Sequence, residues 1–311
     1  MKKYLILLIS TISYCSLAQE SELISTDVSI NKHIDGTLLE LPESNLNTVA
    51  ILIAGSGPTD RDGNQNFLKT NSLKSLAIAL TKQGISTFRY DKRIVKQLLT
   101  NNIDKDIMFD DFVTDAVSVL DYFKNQNRYK NFVIIGHSQG SLVGMLAAQQ
   151  GATGFVSLAG AGQEISEVIT EQITKTAPMF AEDTKRVFDI MKTGQTTTDY
   201  PPALFSIFNQ EIQHFIMNWM QYNPAEEIKK LNIPILIVNG TKDLQVSVEE
   251  AQLLKDAAPD SQLNIIENMN HVLFTIEGDD LENSKSYNEP YRKVNQVLID
   301  AVSNFILNLT K

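Results

Sequence analysis

The chain is short of the residues that build covalent or metal-held scaffolds: it has one cysteine, four histidines and one tryptophan among 311 residues. A lone cysteine closes no disulfide framework, and with four scattered histidines it makes no Cys-rich zinc site, so neither a metal nor a cofactor is expected. Positive charge is also scarce. Lys plus Arg number 27 against 37 Asp plus Glu, a net charge of -10. A surface that acidic repels phosphate backbones and excludes nucleic-acid binding as the main function. Internal repeats and low-complexity linkers are absent. What remains is 43% hydrophobic and 21% charged, an ordinary globular composition long enough for one large α/β domain or two small ones. An enzyme that needs no metal or cofactor is the class these absences favour.

The N-terminal segment reads as an address. Met1-Lys2-Lys3 is a basic start, Tyr4 to Leu17 is mostly apolar and uncharged, and Ser16-Leu17-Ala18 puts small residues where a signal peptidase reads them. The apolar run is too short and too interrupted by Ser and Thr to span a bilayer. Acylation of Cys15 is disfavoured, because Tyr14 stands where a lipoprotein motif wants Gly or Ala. Residues 1–18 are therefore expected to be a signal peptide, with export to a periplasm or the medium. Cleavage after Ala18 removes the only cysteine, which suits an oxidising compartment, and leaves no stable membrane anchor.

Downstream, short β-branched runs predict strands at Thr48 to Ile53, Ile85 to Tyr90, Asn131 to Ile135, Gly154 to Leu158, Pro234 to Val238 and Gln262 to Ile266. Their near-continuous apolar character predicts strands of a parallel sheet buried on both faces. Helical patterns fall between and after them, at Ser72 to Gln83, Asp110 to Lys124, Ser138 to Gln149, Ser247 to Ala257 and Tyr291 to Leu309. The alternation predicts an α/β fold, a mostly parallel central sheet flanked by helices. Asp27 to Leu41 reads as an antiparallel edge hairpin turning at Asp35-Gly36. From Ala161 to Lys230 no strand pattern appears, only helical ones rich in large apolar residues, including Met179, Phe205, Phe208, Phe215 and Trp219. We read residues 19–160 and 231–311 as the core and 161–230 as a helical cap. Some cap residues should pack among themselves while others, Phe215 and Trp219 among them, line a pocket over the sheet.

Chemistry concentrates at Gly136-His137-Ser138-Gln139-Gly140, a G-x-S-x-G match. Alone it is weak, since chance supplies roughly one hit per ten chains of this length. Its setting is specific: Phe132 to Ile135 is a strand immediately before it, and Leu142 to Gln149 a helix immediately after. A strand–turn–helix elbow lifts the serine hydroxyl above the sheet, and glycines on either side permit the backbone crowding that a sharp turn requires. A nucleophilic serine needs a base, and the base an orienting acid. In elbow enzymes the acid and then the base follow on loops after later strands. Asp243 follows the strand ending at Val238, with Glu267 as reserve acid, and His271 follows the strand ending at Ile266. The other histidines, His33, His137 and His214, fit the base poorly. The oxyanion hole needs two backbone N–H groups: one from Gln139, the residue after the serine, and one from Ala54-Gly55-Ser56-Gly57-Pro58. Ser56 is the first choice for that second donor and Gly57 the next, with Gly57 also lining the substrate site.

These residues identify a resemblance. After residue 18 the chain resembles the α/β-hydrolase superfamily over nearly all its length. Within it, the chain is similar to bacterial carboxylesterases with an S-G-P-x-D-R-D-G-N loop, here Ser56-Gly57-Pro58-Thr59-Asp60-Arg61-Asp62-Gly63-Asn64. The resemblance implies an α/β-hydrolase fold with a helical cap and a cofactor-free serine esterase whose partner is a small-molecule ester. A second motif of these relatives matches Arg89-Tyr90-Asp91-Lys92-Arg93. There the relatives continue with Gly-x-Gly, whereas this chain has Ile94-Val95-Lys96. The Asp60-Arg61-Asp62 cluster is expected to brace the oxyanion loop through ion pairs rather than to touch substrate.

Rival functions separate on simple grounds. An acyl-CoA thioesterase would share the triad, but export removes it from its substrate. A serine peptidase would need an extra domain or a grip on a peptide terminus, and neither is recognisable. A non-catalytic binding protein of this type is expected to lack Ser138, Asp243 or His271, and all three are present. Hydrolysis of small, short-acyl esters through an acyl-enzyme on Ser138 is the leading expectation.

Overall fold

Strand-forming residues gather into a single eight-stranded sheet in the computed structural model, which describes residues 22–42, 44 and 47–309. The expected signal peptide lies outside the described residues. A hairpin of β1 (Ile24–Ser29) and β2 (Asp35–Glu40) leads into β3 (Thr48–Ile53), β4 (Ser86–Tyr90), β5 (Asn131–His137), β6 (Gly154–Leu158), β7 (Ile235–Gly240) and β8 (Gln262–Ile266). Their spatial order is β1-β2-β4-β3-β5-β6-β7-β8. The hairpin pairs antiparallel to β4, and the six later strands are mutually parallel.

Two expectations about the sheet are corrected. The hairpin does not turn at Asp35-Gly36, which pair with Ser29 and Val28 as the start of β2. The reversal comes earlier because the Asn31 carboxamide accepts the amides of His33 and Ile34 at 2.8 and 3.1 Å and closes a side-chain-held turn. Nor is β8 buried on both faces. It forms the far edge, with Gln262 and Ile265 exposed.

The helices are α1 (Ser72–Lys82), α2 (Arg93–Leu99), α3 (Phe109–Asn125), α4 (Gln139–Ala148), α5 (Ile165–Thr176), α6 (Ala181–Met191), α7 (Phe205–Phe208), α8 (Gln210–Trp219), α9 (Pro224–Ile228), α10 (Val248–Ala257), α11 (Asp280–Ser286) and α12 (Gln296–Asn308). Helix α2 takes up Ile94-Val95-Lys96 after the second motif, and Lys96 within it pairs with Asp35 at 2.6 Å. Helix α12 starts five residues later than its apolar pattern implied. Val294 is held extended by a bridge to Phe274, and Asn295 then caps the amides of Val297 and Leu298.

Side chains alternate along each strand, so the sheet has two cores. Val49, Ile51 and Ile53 of β3 lie on the face covered by α3 and α4, while Ala50 and Leu52 lie on the face of α1 and α12. After β3 the chain thus runs to one face through α1, and after the neighbouring β5 it runs to the other through α4. Such a reversal opens a crevice at the strand carboxyl ends, where ligands of open α/β sheets bind. Above it, α5 to α8 form an insertion with its own core of Val187, Phe188, Met191, Leu204, Phe208 and Ile216, while α9 packs on α4 and α10. Among the described residues this insertion contains no strand.

One buried ion pair ties α2 to α3. The Arg93 guanidinium donates to both Asp115 carboxylate oxygens at 2.7 Å and to Asp111 at 2.6 Å, with the Arg93 and Asp115 side chains only 8% and 4% exposed. Removing one partner strands the other charge in the interior. Asp115→Ala is therefore expected to lower the unfolding free energy by about 3 kcal/mol, read from urea titration. A loss under about 1 kcal/mol would mean that Arg93 finds water or another acceptor.

Candidate active site

The elbow is built by backbone crowding. Ser138 has φ 54° and ψ -123°, a conformation that costs an L-residue energy and persists only where its surroundings hold it. Its N–H is fixed to the Leu158 carbonyl at 2.9 Å. A Cβ on Gly136 would stand 2.2 Å from the Gly140 carbonyl oxygen, and one on Gly140 2.4 Å from that of Ile53. Glycine at both positions is what lets β5, α4 and the end of β3 approach so closely. Ser138 precedes α4 and its side chain makes no capping bond, so the hydroxyl faces the crevice at the positive end of that helix.

Asp243 and His271 come together from the loops after β7 and β8. His271 Nδ1 lies 2.8 Å from Asp243 Oδ2, and the two side chains are 5% and 0% exposed. Asp243 Oδ1 accepts the amides of Gln245 and Val246 at 2.8 and 2.9 Å, which fixes the carboxylate. With Nδ1 donating to that carboxylate, Nε2 is the ring nitrogen left to accept a proton. Glu267, the reserve acid, is exposed and makes no hydrogen bond to His271. Asn270 braces the histidine loop by donating to Asn283 and Ser286 of α11 and accepting from Phe274 N.

His137 has a role that its sequence position did not reveal. Its Nε2 donates to the His271 carbonyl at 2.8 Å, and the two rings lie 4.9 Å apart. The residue before the serine thus holds the histidine loop against the elbow. Burial, with the His271 ring beside it, pushes the His137 imidazole down to about 4.

The expected oxyanion donors flank the same crevice. Ser56, Gly57, Ser138 and Gln139 all line one cavity, and among the described residues neither Ser56 N–H nor Gln139 N–H has an acceptor within the protein. The loop carrying Ser56 is braced from behind. Thr59 and Gln65 donate to the Ser56 carbonyl at 2.7 and 2.9 Å, Arg61 grips Asp91, and Arg89 Nε donates to Asp62 at 2.8 Å. Asp60 accepts the amides of Asp62 and Asn64. None of Asp60, Arg61 and Asp62 lines the cavity. Lys92, from the second motif, reaches under the floor to Gly55 and Gln139.

The cavity measures about 640 Å³ and its walls are mainly apolar. Phe112 and Leu142 contribute from the core, and Phe215, Ile216 and Trp219 from α8. Trp219 also stacks on Phe109 at 5.4 Å and Phe215 packs on Phe112 at 5.6 Å, so the residues that line the pocket also fasten the insertion to α3. Met179 and Phe205, by contrast, are 72% and 61% exposed. Among the described residues no group of three or more His, Cys, Asp or Glu side chains is arranged to hold a metal, and no helix is long and apolar enough to cross a membrane.

Strand order, flanking helices and elbow define an α/β-hydrolase fold. Est1E from Butyrivibrio proteoclasticus superposes with a TM-score of 0.56 at 17% identity, covering 92% of this chain and 98% of that one. Esterase Pf2001 from Pyrococcus furiosus gives 0.55 at 13% identity, covering 94% and 92%. A dienelactone hydrolase from Anabaena variabilis gives 0.53 at 12% identity, covering 94% and 100%. In sequence the chain is similar to Esterase EstD of Thermotoga maritima, 25% identical over 236 residues, which are 73% of this chain and 55% of EstD. The chain thus spans about half the length of the curated relative it matches. No family model matches it.

The depressed His137 value has a measurable consequence. An unfolded imidazole binds its proton near pH 6.5, whereas buried His137 resists it until about 4. Between those values the unfolded state holds more protons, so stability falls as the pH drops through the window, by up to about 3 kcal/mol. Urea unfolding from pH 7 to 4 is expected to show a shallower decline in His137→Asn than in the wild type. Equal slopes would mean that His137 titrates normally.

Proposed function

We propose that this protein is a serine carboxylesterase that hydrolyses small, short-acyl esters through an acyl-enzyme on Ser138. The observation that carries the reading is the buried 2.8 Å contact between Asp243 and His271, held against the Ser138 elbow by His137. In the proposed reaction His271 Nε2 takes the Ser138 proton as the hydroxyl oxygen attacks the ester carbonyl. The carbonyl oxygen becomes an oxyanion and meets the N–H groups of Gln139 and Ser56. Collapse expels the alcohol, which receives its proton from His271, and water then repeats the sequence on the acyl-enzyme. Asp243 keeps the imidazole in the tautomer that leaves Nε2 free and stabilises the imidazolium once it forms. The esterase names of EstD, Est1E and Pf2001 support the ester-hydrolase class.

Residues 161–230 act in this reading as a cap that bounds the substrate. An ester must place both its acyl and its alcohol part in the 640 Å³ cavity, and side chains packed against Phe109 and Phe112 yield only at a cost in strain. Acetyl to about hexanoyl esters should fit best. Residues 1–18 are proposed to direct export and to be removed after Ala18, so N-terminal sequencing of the exported protein should begin at Gln19.

Ser138→Ala is expected to reduce hydrolysis of an activated ester on the order of 10⁴- to 10⁶-fold while the fold is kept, and Asp243→Asn to reduce it roughly 10⁴-fold. Near-normal turnover by purified Ser138→Ala would sink the assignment, and a far larger loss in Glu267→Gln than in Asp243→Asn would move the acid. Across a chain-length series of one alcohol's esters, kcat/KM should peak at six carbons or below. Trp219→Ala should shift the optimum to longer chains. A peak at dodecanoyl or beyond in the wild type would refute this account of the cap.

A further inference from the structure

We infer that Lys92 is a positioning residue of the oxyanion hole, its ammonium group joining the Gly55–Ser56 peptide to Gln139 and strengthening both N–H donors. The inference rests on the esterase reading of Ser138.

The geometry is specific. Lys92 Nζ donates to the Gly55 carbonyl at 2.9 Å and to the Gln139 side-chain oxygen at 2.8 Å, in a site where Lys92 is 5% exposed. The Gly55 carbonyl and the Ser56 N–H belong to one peptide unit. A cationic donor on the carbonyl draws electron density through that unit and makes the N–H at its other end a stronger donor. On the opposite side the same ammonium holds the side chain of Gln139, the first residue of α4, whose own N–H is the second donor. One donor stands on the loop after β3, which runs to α1 on one face of the sheet, the other at the start of α4 on the opposite face, and Lys92 bridges the gap between them. A donor misplaced by about 1 Å is enough to cost about a hundredfold in rate.

Stability alone gives no reason for this lysine. A buried cation is expensive unless a carboxylate compensates it. The neighbouring arginines all have one: Arg61 holds Asp91, Arg89 holds Asp62, and Arg93 holds Asp111 and Asp115. Lys92 has none among the described residues. Its partners are a carbonyl, a carboxamide and the face of Phe112, whose centroid lies 4.3 Å from Nζ. Burial accordingly pushes its ammonium down to about 7. Below that pH it is an uncompensated cation beneath two unpaired N–H groups, placed to act on a charge that appears only during reaction.

The test is Lys92→Met, which keeps an unbranched apolar side chain in the buried site and removes the donors. For an activated acetyl ester kcat should fall on the order of 10²-fold, with KM changed less than threefold. Affinity for a trifluoromethyl ketone, which forms a tetrahedral adduct on Ser138, should fall by about the same factor. Affinity for the secondary alcohol of the same skeleton, which forms no adduct, should hold. Turnover and ketone affinity within about threefold of wild type would overturn the inference while leaving the esterase reading intact. So would a loss that appears mainly in KM. Wild-type protein with no esterase activity would sink both. Where Lys92→Met does not accumulate in folded form, Gln139→Leu carries the test, because it cuts one arm of the bridge and keeps the N–H. It should lower kcat on the order of tenfold with KM held, and an unchanged kcat would overturn the inference.

Discussion

The fold turns on one close approach. Where β5 passes into α4, the backbone at Gly136 and Gly140 comes so near its neighbours that no Cβ fits, and Ser138 is forced to a positive φ between them. That contact places the first turn of α4 against the carbonyl of Ile53 and so sets the distance between the end of β3 and the elbow. The hydrophobic cores on either side hold the strands in register. The crowding at the elbow converts that register into the position of a single hydroxyl group. Strain of this kind persists only in a scaffold able to oppose it, and a sheet buried on both faces by helices is such a scaffold.

Charge is distributed around the crevice by a consistent rule. The arginines behind the β3 loop and at the start of α2 are matched with aspartates, Arg93 with two of them, and these pairs brace loops and helices rather than face the cavity. Toward the cavity the lining is mainly apolar. Ser138 and Gln139 stand beside the Ser56–Gly57 loop, Gln163, Gln172, Ser206, Glu211 and Gln245 are the polar residues of the walls, and Lys92 lies just beneath.

Much of this arrangement was legible in the amino-acid order. Five of the six parallel strands, β3 to β7, announce themselves because residues buried on both faces are apolar almost throughout, and the candidate site residues fall at or shortly after strand ends. Ser138, Asp243 and His271 were thereby expected at one edge of the sheet, and the structure brings Asp243 and His271 together there. What stayed hidden depends on partners distant in sequence. Lys92 reads as one more charge in a polar stretch until Gly55 and Gln139 close around it. His137 reads as the variable position of the elbow until the His271 carbonyl arrives from 134 residues away. The hairpin turn was misplaced because Asp35-Gly36 has turn composition, whereas the Asn31 side chain makes the reversal. Helix α2 was missed because it is one short run, anchored mainly by Arg93 and Lys96 to partners on other elements.

The insertion has a narrow neck. Its first and last segments meet where Ala225 N–H bonds to the Gly162 carbonyl at 3.2 Å, and Glu250 of α10 grips the amides of Gly162 and Gln163. The flanking strands, β6 and β7, are hydrogen-bonded neighbours. A segment entering and leaving through one such point can be lengthened, shortened or exchanged without altering any strand pairing. The sheet that sets the reacting groups and the helices that shape the pocket are therefore free to diverge at different rates. Within a lineage of such proteins, appetite for new substrates can change through indels between β6 and β7 while the inherited chemistry stays in place.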